Sequence, residues 1–234
     1  MRDVNVYDIE ACHYTILKNK GFDLSNIDPE DKLGRNIAIG QMMRDNPRIT
    51  SLLRTTTESI INDYINANNV KENEIIIRQY DGLLLTRQLK VTNIGHMPLE
   101  RRQTFSHFIS SIKRNSYIAL VEWERKVKVK GVAHQYDVMN EIYKQLCLAI
   151  DVTKNARFER LQKIKDEFFE SEDPGLFGIP LKNGKFNIFL KGYGEIEVSQ
   201  STLKIMDTDD VDRERYFHFY IEPFTKSIVI ESLE

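Results

Sequence analysis

The sequence predicts an α+β fold in which an antiparallel sheet packs against helices. Short segments of β character come in two pairs, at residues 75–85 and 116–132, and each pair has the character of an antiparallel hairpin. Stretches with helical periodicity lie before and after these pairs. The elements follow one another along the chain without an internal repeat or a low-complexity tract.

The chain begins with a predicted strand at residues 4–8 that leads into a helix at 11–19, with Gly21 as its C′ residue. The next helix is predicted to begin with Asp28 as N-cap and Pro29 at the first helical position, and to end near residue 45. Asn46 and Pro47 break it, and a long amphipathic helix follows at 49–66.

A tight hairpin is predicted next, because apolar residues 75–77 and 83–85 flank an Asp-Gly turn. A helix is expected near 102–112, and residues 116–123 and 126–132 form the second antiparallel pair. Helices are predicted at 135–150 and 155–170. Strands are predicted at 186–190, 195–198 and 216–221. A boundary near residue 134 divides these elements into domains 1–134 and 135–234.

Composition indicates an ordinary globular protein, with 41% hydrophobic and 29% charged residues and a net charge of −2. This charge excludes a generic polyanion binder, so contact with nucleic acid would come from local patches. Residues 101–130 carry eight Lys or Arg against two Glu. The two cysteines have no metal or disulfide spacing, and no apolar run reaches membrane-spanning length, so a cytoplasmic location without membrane contact is expected.

Three stretches carry the candidate chemistry. Asp8 ends the first strand, Lys32 and Asn36 lie one turn apart on the second helix, and Asp81 sits in the tight hairpin. Carboxylates on neighbouring strands beside a cationic helix suit metal-assisted nucleotidyl transfer.

In this order, the stretches resemble the palm of family B DNA polymerases. Asp8 takes the place of the Asp that ends a strand in the family's first motif, His13 the aromatic place, and Thr15-Ile16 the Ser-Ile place. The second motif, Lys-Leu-x-x-Asn-Ser-x-Tyr-Gly, is matched at four positions, Lys32, Leu33, Asn36 and Gly40.

The third family motif, a hairpin with Asp-Thr-Asp-Ser, is matched at Asp81, while Gln79 stands at the place of the other Asp. A basic strand pair follows, as in the family. The resemblance covers residues 4–145 and implies a palm-like domain at 1–134 with a minimal fingers helix. A thumb-like helical and β region would follow at 135–234, without an exonuclease domain or most of the fingers.

The resemblance implies a template-dependent nucleotidyltransferase, alone or as part of a split polymerase, and a virus or mobile element as source. Its partners would be a primer–template, nucleoside triphosphates and another replication subunit. Mg²⁺ or Mn²⁺ would be held by Asp8, Asp81 and the carbonyl of Ile9. The implied nucleotide-binding residues are Glu10, Ala11, Cys12, His13, Lys32, Asn36 and Gly40, and the implied nucleic-acid-binding residues are Tyr80, Arg114, Tyr117, Lys126, Lys128 and Lys130.

Two alternatives remain open at this point. Asp8 and Glu10 also resemble the Asp-x-Glu that opens DEDD-type 3′–5′ exonucleases, with Asp81 and Asp137 completing the set. A non-catalytic palm-like protein that binds nucleic acid would explain Gln79 and the short fingers. Taken singly, the polar residues of the motifs also suit turns, caps and solvated faces.

Overall fold

The structure is a computed structural model that describes residues 1–111, 116–121, 126–131, 137–181 and 183–230, except for the side chains of 137 and 138. The predicted α+β class is confirmed. Contacts divide the chain into two compact units, an N-terminal unit (Asp3–Thr104) and a C-terminal unit (Met1–Arg2 with Phe105–Glu234). The boundary predicted near residue 134 falls in a segment outside the described residues.

The main sheet is antiparallel and has six strands in the order β2-β3-β1-β4-β5-β6. Their bounds are β1 (Arg2–Ile9), β2 (Ile75–Arg78), β3 (Gly82–Leu85), β4 (Leu99–Ser110), β5 (Tyr117–Val121) and β6 (Lys126–Lys130). A smaller sheet joins β7 (Ile179–Pro180), β8 (Phe186–Leu190) and β9 (Gly194–Val198) in sequence order.

Along the chain, the helices come between β1 and β2 and after β6. Their bounds are α1 (Cys12–Asn19), α2 (Lys32–Asp45), α3 (Pro47–Ala67), α4 (Asp137–Leu148), α5 (Lys154–Glu170), α6 (Gln200–Ile205), α7 (Arg213–Tyr220) and α8 (Glu222–Ile230). In the part of the chain that the structure covers, no helix combines the length and apolar character that crossing a membrane requires.

The core of the N-terminal unit forms where α1 and α3 meet β1 and β3. Leu17, Leu53, Tyr64 and Leu83 are fully buried there. The Tyr64 hydroxyl donates to the Met97 carbonyl and accepts from the Ile94 amide, so this buried polar group is satisfied. These contacts fix α3 against the loop that leads into β4.

The C-terminal unit has an aromatic core. Phe168, Phe177 and Tyr216 pack with ring centroids 5.4 to 6.1 Å apart, and all three are fully buried. The Tyr216 ring also lies 4.7 Å from that of Tyr220. Burial of such large rings contributes strongly to the stability of this core.

Several predicted elements are confirmed. The hairpin of β2 and β3 pairs Arg78 with Leu83. The C-terminus of α1 ends as expected, because Gly21 has a φ of 77° and its amide donates to the Lys18 carbonyl. The basic strand pair is also present, with Tyr117 opposite Lys130.

Three predictions about elements were wrong. The segment expected to be a helix at 102–112 is β4, in which Phe105 and His107 are buried on either side of half-buried Ser106. The strand expected at 216–221 is α7, because its aromatic residues pack into the helical core of the C-terminal unit. Helix α2 begins at Lys32 with Asp31 as its cap, since the Asp31 side chain accepts from the Leu33 and Gly34 amides.

Candidate functional site

Asp8 and Asp81 are brought together by the pairing of β1 with β3. Asp8 lies opposite Gly82 in the strand register, and the Ile9 amide donates to the Asp81 carbonyl at 2.9 Å. Asp8, Ile9 and Asp81 all line one cavity of about 170 Å³ in the N-terminal unit. The pairing of β1 with β3 thus brings Asp8, near the end of β1, and Asp81, in the turn before β3, to the same cavity.

Gly82 permits this close approach of strand and hairpin. A Cβ atom at position 82 would lie 2.3 Å from the Tyr7 carbonyl oxygen, a distance that no side chain tolerates without movement of the backbone. Glycine is therefore required by contact here, in addition to its usual place in turns. Asp81 immediately precedes this contact, which fixes its distance from β1.

The surroundings of the Asp8 carboxyl disfavour its ionised form. Burial raises the pKa of Asp8 above its ordinary value, and the negative charge of Asp81 raises it further. The positive charges of Arg102 and Lys32 lower the pKa of Asp8 but do not outweigh these two effects. A cation bound between the carboxylates would relieve their repulsion.

The start of α1 forms a second wall of the cavity, to which Glu10, Ala11, Cys12 and His13 all contribute. Ala11 adopts a left-handed conformation, with φ 48° and ψ 34°, and so turns the chain from strand to helix within one residue. Within the described chain, no side chain caps the amides of the first turn. Such amides at a helix N-terminus attract anions such as phosphate.

Helix α2 supplies the cationic side of the cavity. Lys32 and Asn36 line it as predicted, one turn apart on the same face. Arg35 lines it too and was missed by the sequence analysis, although its spacing of three residues from Lys32 places it on that face. The Arg35 guanidinium donates to the Pro29 carbonyl and lies 5.9 Å from the centre of the Tyr14 ring.

Arg102 was also missed. It lies on β4, which was expected to be a helix, and its guanidinium is 3.9 Å from the Asp8 carboxylate and 3.6 Å from that of Glu10. A closer contact, at 2.7 Å, joins Arg102 to Glu100. The guanidinium is partly exposed, so these ion pairs are screened and individually weak.

His13 lines the cavity with a neutral imidazole. Burial lowers the pKa of His13, although the charge of Asp81 acts in the opposite direction. Its Nε2 atom is buried and has no hydrogen-bond partner among the residues that the structure describes. An unpaired polar atom at a cavity wall is available to a ligand. The His13 ring also makes an edge contact with Tyr80, with centroids 5.1 Å apart.

Cys12 contributes backbone rather than a reactive side chain. Its sulfur lies 3.6 Å from the Thr57 hydroxyl, and burial raises the pKa of the thiol to about 11. The thiol is thus protonated at neutral pH and is a poor nucleophile. The other cysteine, Cys147, is also buried and free.

Gly40 is the predicted nucleotide-binding residue that the structure does not bring to the cavity, where Ile39 appears instead. A Cβ atom at Gly40 would meet no atom of the described chain within 4 Å. Its match to the polymerase-like motif therefore has no steric basis in this fold.

The predicted nucleic-acid-binding residues lie apart from one another in the sequence and differ in exposure. Lys126, Lys128 and Lys130 are exposed on β6, alternating with half-buried valines. Tyr117 is 9% exposed and packs against Phe108 with centroids 5.0 Å apart, so it is a core residue. Tyr80 is 43% exposed. Arg114 lies outside the described residues.

Over the described ranges, the structure contains no group of three or more His, Cys, Asp or Glu side chains arranged to hold a metal ion. Asp8, Asp81 and the Ile9 carbonyl are the groups of the cavity lining that could hold a metal ion. Mg²⁺ commonly binds proteins through one or two carboxylates and retains several waters.

The sequence model of a family described as Bacteriophage PBS1 gene 130 protein matches residues 4–204. The matched range contains every residue of the cavity. No curated protein and no solved structure matches the chain.

Proposed function

We propose that this chain, which belongs to the Bacteriophage PBS1 gene 130 protein family, is a nucleotidyltransferase. It would carry out template-dependent nucleotidyl transfer at the cavity formed by β1, β3, α1 and α2. The proposal depends on one observation. Asp8 and Asp81, brought to one cavity by the pairing of β1 with β3, line it together with Lys32, Arg35 and Asn36 of α2. A phage-encoded enzyme of this kind would act in the cytoplasm of the host.

Mg²⁺ or Mn²⁺ fits the donor set of this cavity. Asp8, Asp81 and the Ile9 carbonyl would hold the ions. Burial is the main cause of the raised pKa of Asp8, and a cation would remove the repulsion from Asp81 that raises this pKa further. When bound, such ions supply charge neutralisation for the attacking hydroxyl and for the leaving pyrophosphate. Deprotonated carboxylates are required, so the ions and protons compete for Asp8.

The residues of the chain would bind and orient the nucleotide. The first amides of α1 would face the triphosphate, with Lys32 and Arg35 neutralising its charge from α2. The Asn36 amide would hydrogen-bond the nucleotide, and His13 Nε2 would accept or donate one bond at the sugar, depending on its tautomer.

The transfer itself requires few protein groups. The 3′ oxygen of a nucleic-acid strand would bond to the α-phosphorus, and the bond from that phosphorus to the bridging oxygen would break, so that pyrophosphate leaves with the electron pair. The hydroxyl proton would pass to solvent. Catalysis is then a matter of positioning and charge neutralisation, which is typical of phosphoryl transfer.

Primer extension tests the proposal. Purified protein is incubated with a primer–template, Mg²⁺ or Mn²⁺, and nucleoside triphosphates. We expect extension by the parent and a fall of roughly 10³-fold or more in the Asp8→Asn and Asp81→Asn variants, because ion binding contributes several kcal/mol to such reactions. Asp63→Asn, an exposed position on α3, is the matched control. Absence of extension by the folded parent with either ion would overturn the proposal.

A non-catalytic nucleotide-binding protein is the second candidate. It is favoured by Arg102, whose guanidinium already lies 3.9 Å from the Asp8 carboxylate. In that case nucleotide binding would persist without extension, and Arg102→Ala would not produce extension. The same assay distinguishes an exonuclease, supported by Glu10 at the same cavity, since the primer would then shorten without nucleotides.

A further inference from the structure

A second cavity of about 310 Å³ lies in the N-terminal unit, between α3 and the β2–β3 hairpin. We call it the α3 cavity; it is lined by Arg54, Glu58, Ile61, Arg78, Gln79 and Tyr80. Its volume is at the lower end of the range for small-ligand sites, about 300–1,000 Å³. Tyr80 immediately precedes Asp81, so this cavity adjoins the hairpin that carries the proposed metal ligand.

Two guanidinium groups give the α3 cavity an attraction for anions. Arg78 donates to the side chain of Asn62, which orients its guanidinium and leaves further N–H donors for a ligand. Within the described ranges, the ion pairs include no carboxylate within 4.0 Å of Arg54 or Arg78. Two arginines against the single carboxylate of Glu58 give the lining a net positive charge, which suits a phosphate.

An aromatic surface completes the cavity. Tyr80 is 43% exposed, and its edge contact with His13 fixes the orientation of the ring. An oriented, exposed aromatic ring beside guanidinium groups is the combination on which single-stranded nucleic acids stack.

We propose that the α3 cavity binds one nucleotide of a single-stranded nucleic acid. Its phosphate would lie between Arg54 and Arg78, and its base would stack on Tyr80. Glu58, the single carboxylate of the lining, would accept a hydrogen bond from a base amino group or a sugar hydroxyl. That the next nucleotide of the strand lies toward Asp81 rests on the proposed nucleotidyl transfer. That a nucleotide binds in the α3 cavity does not rest on it.

Salt-dependent binding tests the two arginines. Fluorescence anisotropy is measured with a labelled oligothymidylate of about 12 nucleotides, within the range of common single-strand site sizes. In the Arg54→Ala/Arg78→Ala variant, we expect the slope of log affinity against log salt to fall by about 0.7, which corresponds to the one phosphate that the two arginines neutralise together. An unchanged slope would overturn the proposal.

Arg44→Ala/Arg48→Ala is the matched control. It also removes two exposed arginines of the N-terminal unit, but neither residue lines the α3 cavity. We expect this control to retain the slope of the parent. An equal fall in both double variants would show a diffuse charge effect and would also overturn the proposal.

Stacking is tested at Tyr80. We expect Tyr80→Ala to weaken binding roughly tenfold and Tyr80→Phe to bind as the parent does, because phenylalanine retains the ring. With an oligonucleotide that lacks bases, Tyr80→Ala and the parent should bind equally. Equal loss with Tyr80→Phe, or a loss with the abasic strand, would contradict stacking.

The same binding assay in the Asp8→Asn/Asp81→Asn background keeps the two proposals distinguishable. Dependence on Arg54 and Arg78 without any extension by the parent would support the α3 cavity and overturn nucleotidyl transfer. Extension by the parent without dependence on the two arginines would overturn the α3 cavity alone.

Discussion

The amide of Ile9 donates to the carbonyl of Asp81 at 2.9 Å, and this bond joins the end of β1 to the turn of the hairpin. It continues the ladder of β1 and β3 past Gly82, so that backbone pairing holds Asp8 and Asp81 next to each other. Their spacing therefore depends on the local backbone, which makes the hairpin the most sensitive part of the candidate site.

Gly82→Ala should destabilise the protein. Its Cβ would lie 2.3 Å from the Tyr7 carbonyl oxygen, so β1 and the hairpin must separate. We expect a loss of about 1–3 kcal/mol in the free energy of unfolding, measured by urea denaturation, together with loss of any activity.

Gly40→Ala is the control for Gly82→Ala. The new methyl group meets no atom of the described chain within 4 Å, and the position lies inside α2. Alanine should thus stabilise the helix by about 0.5–1 kcal/mol. Equal stability changes in the two variants would refute the assigned contact with Tyr7.

Asp81→Asn should lower the pKa of Asp8. Burial remains and keeps the value raised, but the repulsion from the Asp81 carboxylate disappears. Carbon-13 NMR titration of the Asp8 carboxyl measures the change. Arg102→Ala should shift the pKa of Asp8 upward, and a shift of the same sign in both variants would contradict the described electrostatics.

The raised pKa of Asp8 also sets the sign of a stability effect. A carboxyl whose folded pKa lies above its unfolded pKa lowers stability as the pH rises from the unfolded value, 3.8, through the folded one. Asp8→Asn should therefore be more stable than the parent at pH 7, with the difference vanishing below 3.8. Urea unfolding at several pH values gives both curves.

Arg35→Ala should weaken nucleoside triphosphate binding roughly tenfold, or on the order of 1.4 kcal/mol, because one charge-assisted contact is removed. Arg35→Lys should restore only part of the affinity, since lysine loses the guanidinium geometry that bonds the Pro29 carbonyl. Titration calorimetry measures the affinity. Lys18→Ala, an exposed charge at the other end of α1, should bind as the parent does.

Asp151→Asn should destabilise the C-terminal unit. Both carboxylate oxygens of Asp151 lie 2.8 Å from Nε2 of the buried His107, and Arg2 contacts the same group. Burial raises the pKa of Asp151, but the hydrogen bonds and charges of His107 and Arg2 outweigh burial and lower it overall.

The stability from Asp151 should thus be present above 3.8, the unfolded pKa, and disappear as the pH falls through the lower folded pKa. Unfolding curves of parent and Asp151→Asn should converge in that acidic range. A difference that persists at the lowest pH would indicate a packing effect instead.

Local sequence signals were sufficient where turn chemistry and capping agreed with periodicity. The β2–β3 hairpin followed from apolar runs around Asp81 and Gly82, and the break between α2 and α3 followed from Asn46 and Pro47. They failed for β4, because its buried apolar residues Phe105, Phe108 and Ile109 follow the i, i+3, i+4 spacing that is typical of a helix.

That failure also explains why Arg102 was missed. Its contact with Asp8 joins residues far apart in the chain and exists only because β4 lies beside β1 in the sheet. Arg35 was missed as well, although its helical spacing from Lys32 was enough to indicate that it lies on the same face. Of the two missed residues, Arg102 alone required knowledge of the tertiary structure.

The left-handed Ala11 has a consequence for ligand affinity. For a residue other than glycine, this conformation raises the conformational energy by about 1–2 kcal/mol. This energy is part of the free energy of folding and not of ligand binding. The first turn of α1 therefore already faces the cavity before any ligand arrives. A phosphate would bind to a preorganised backbone, and its affinity would not be reduced by the energy of forming that turn.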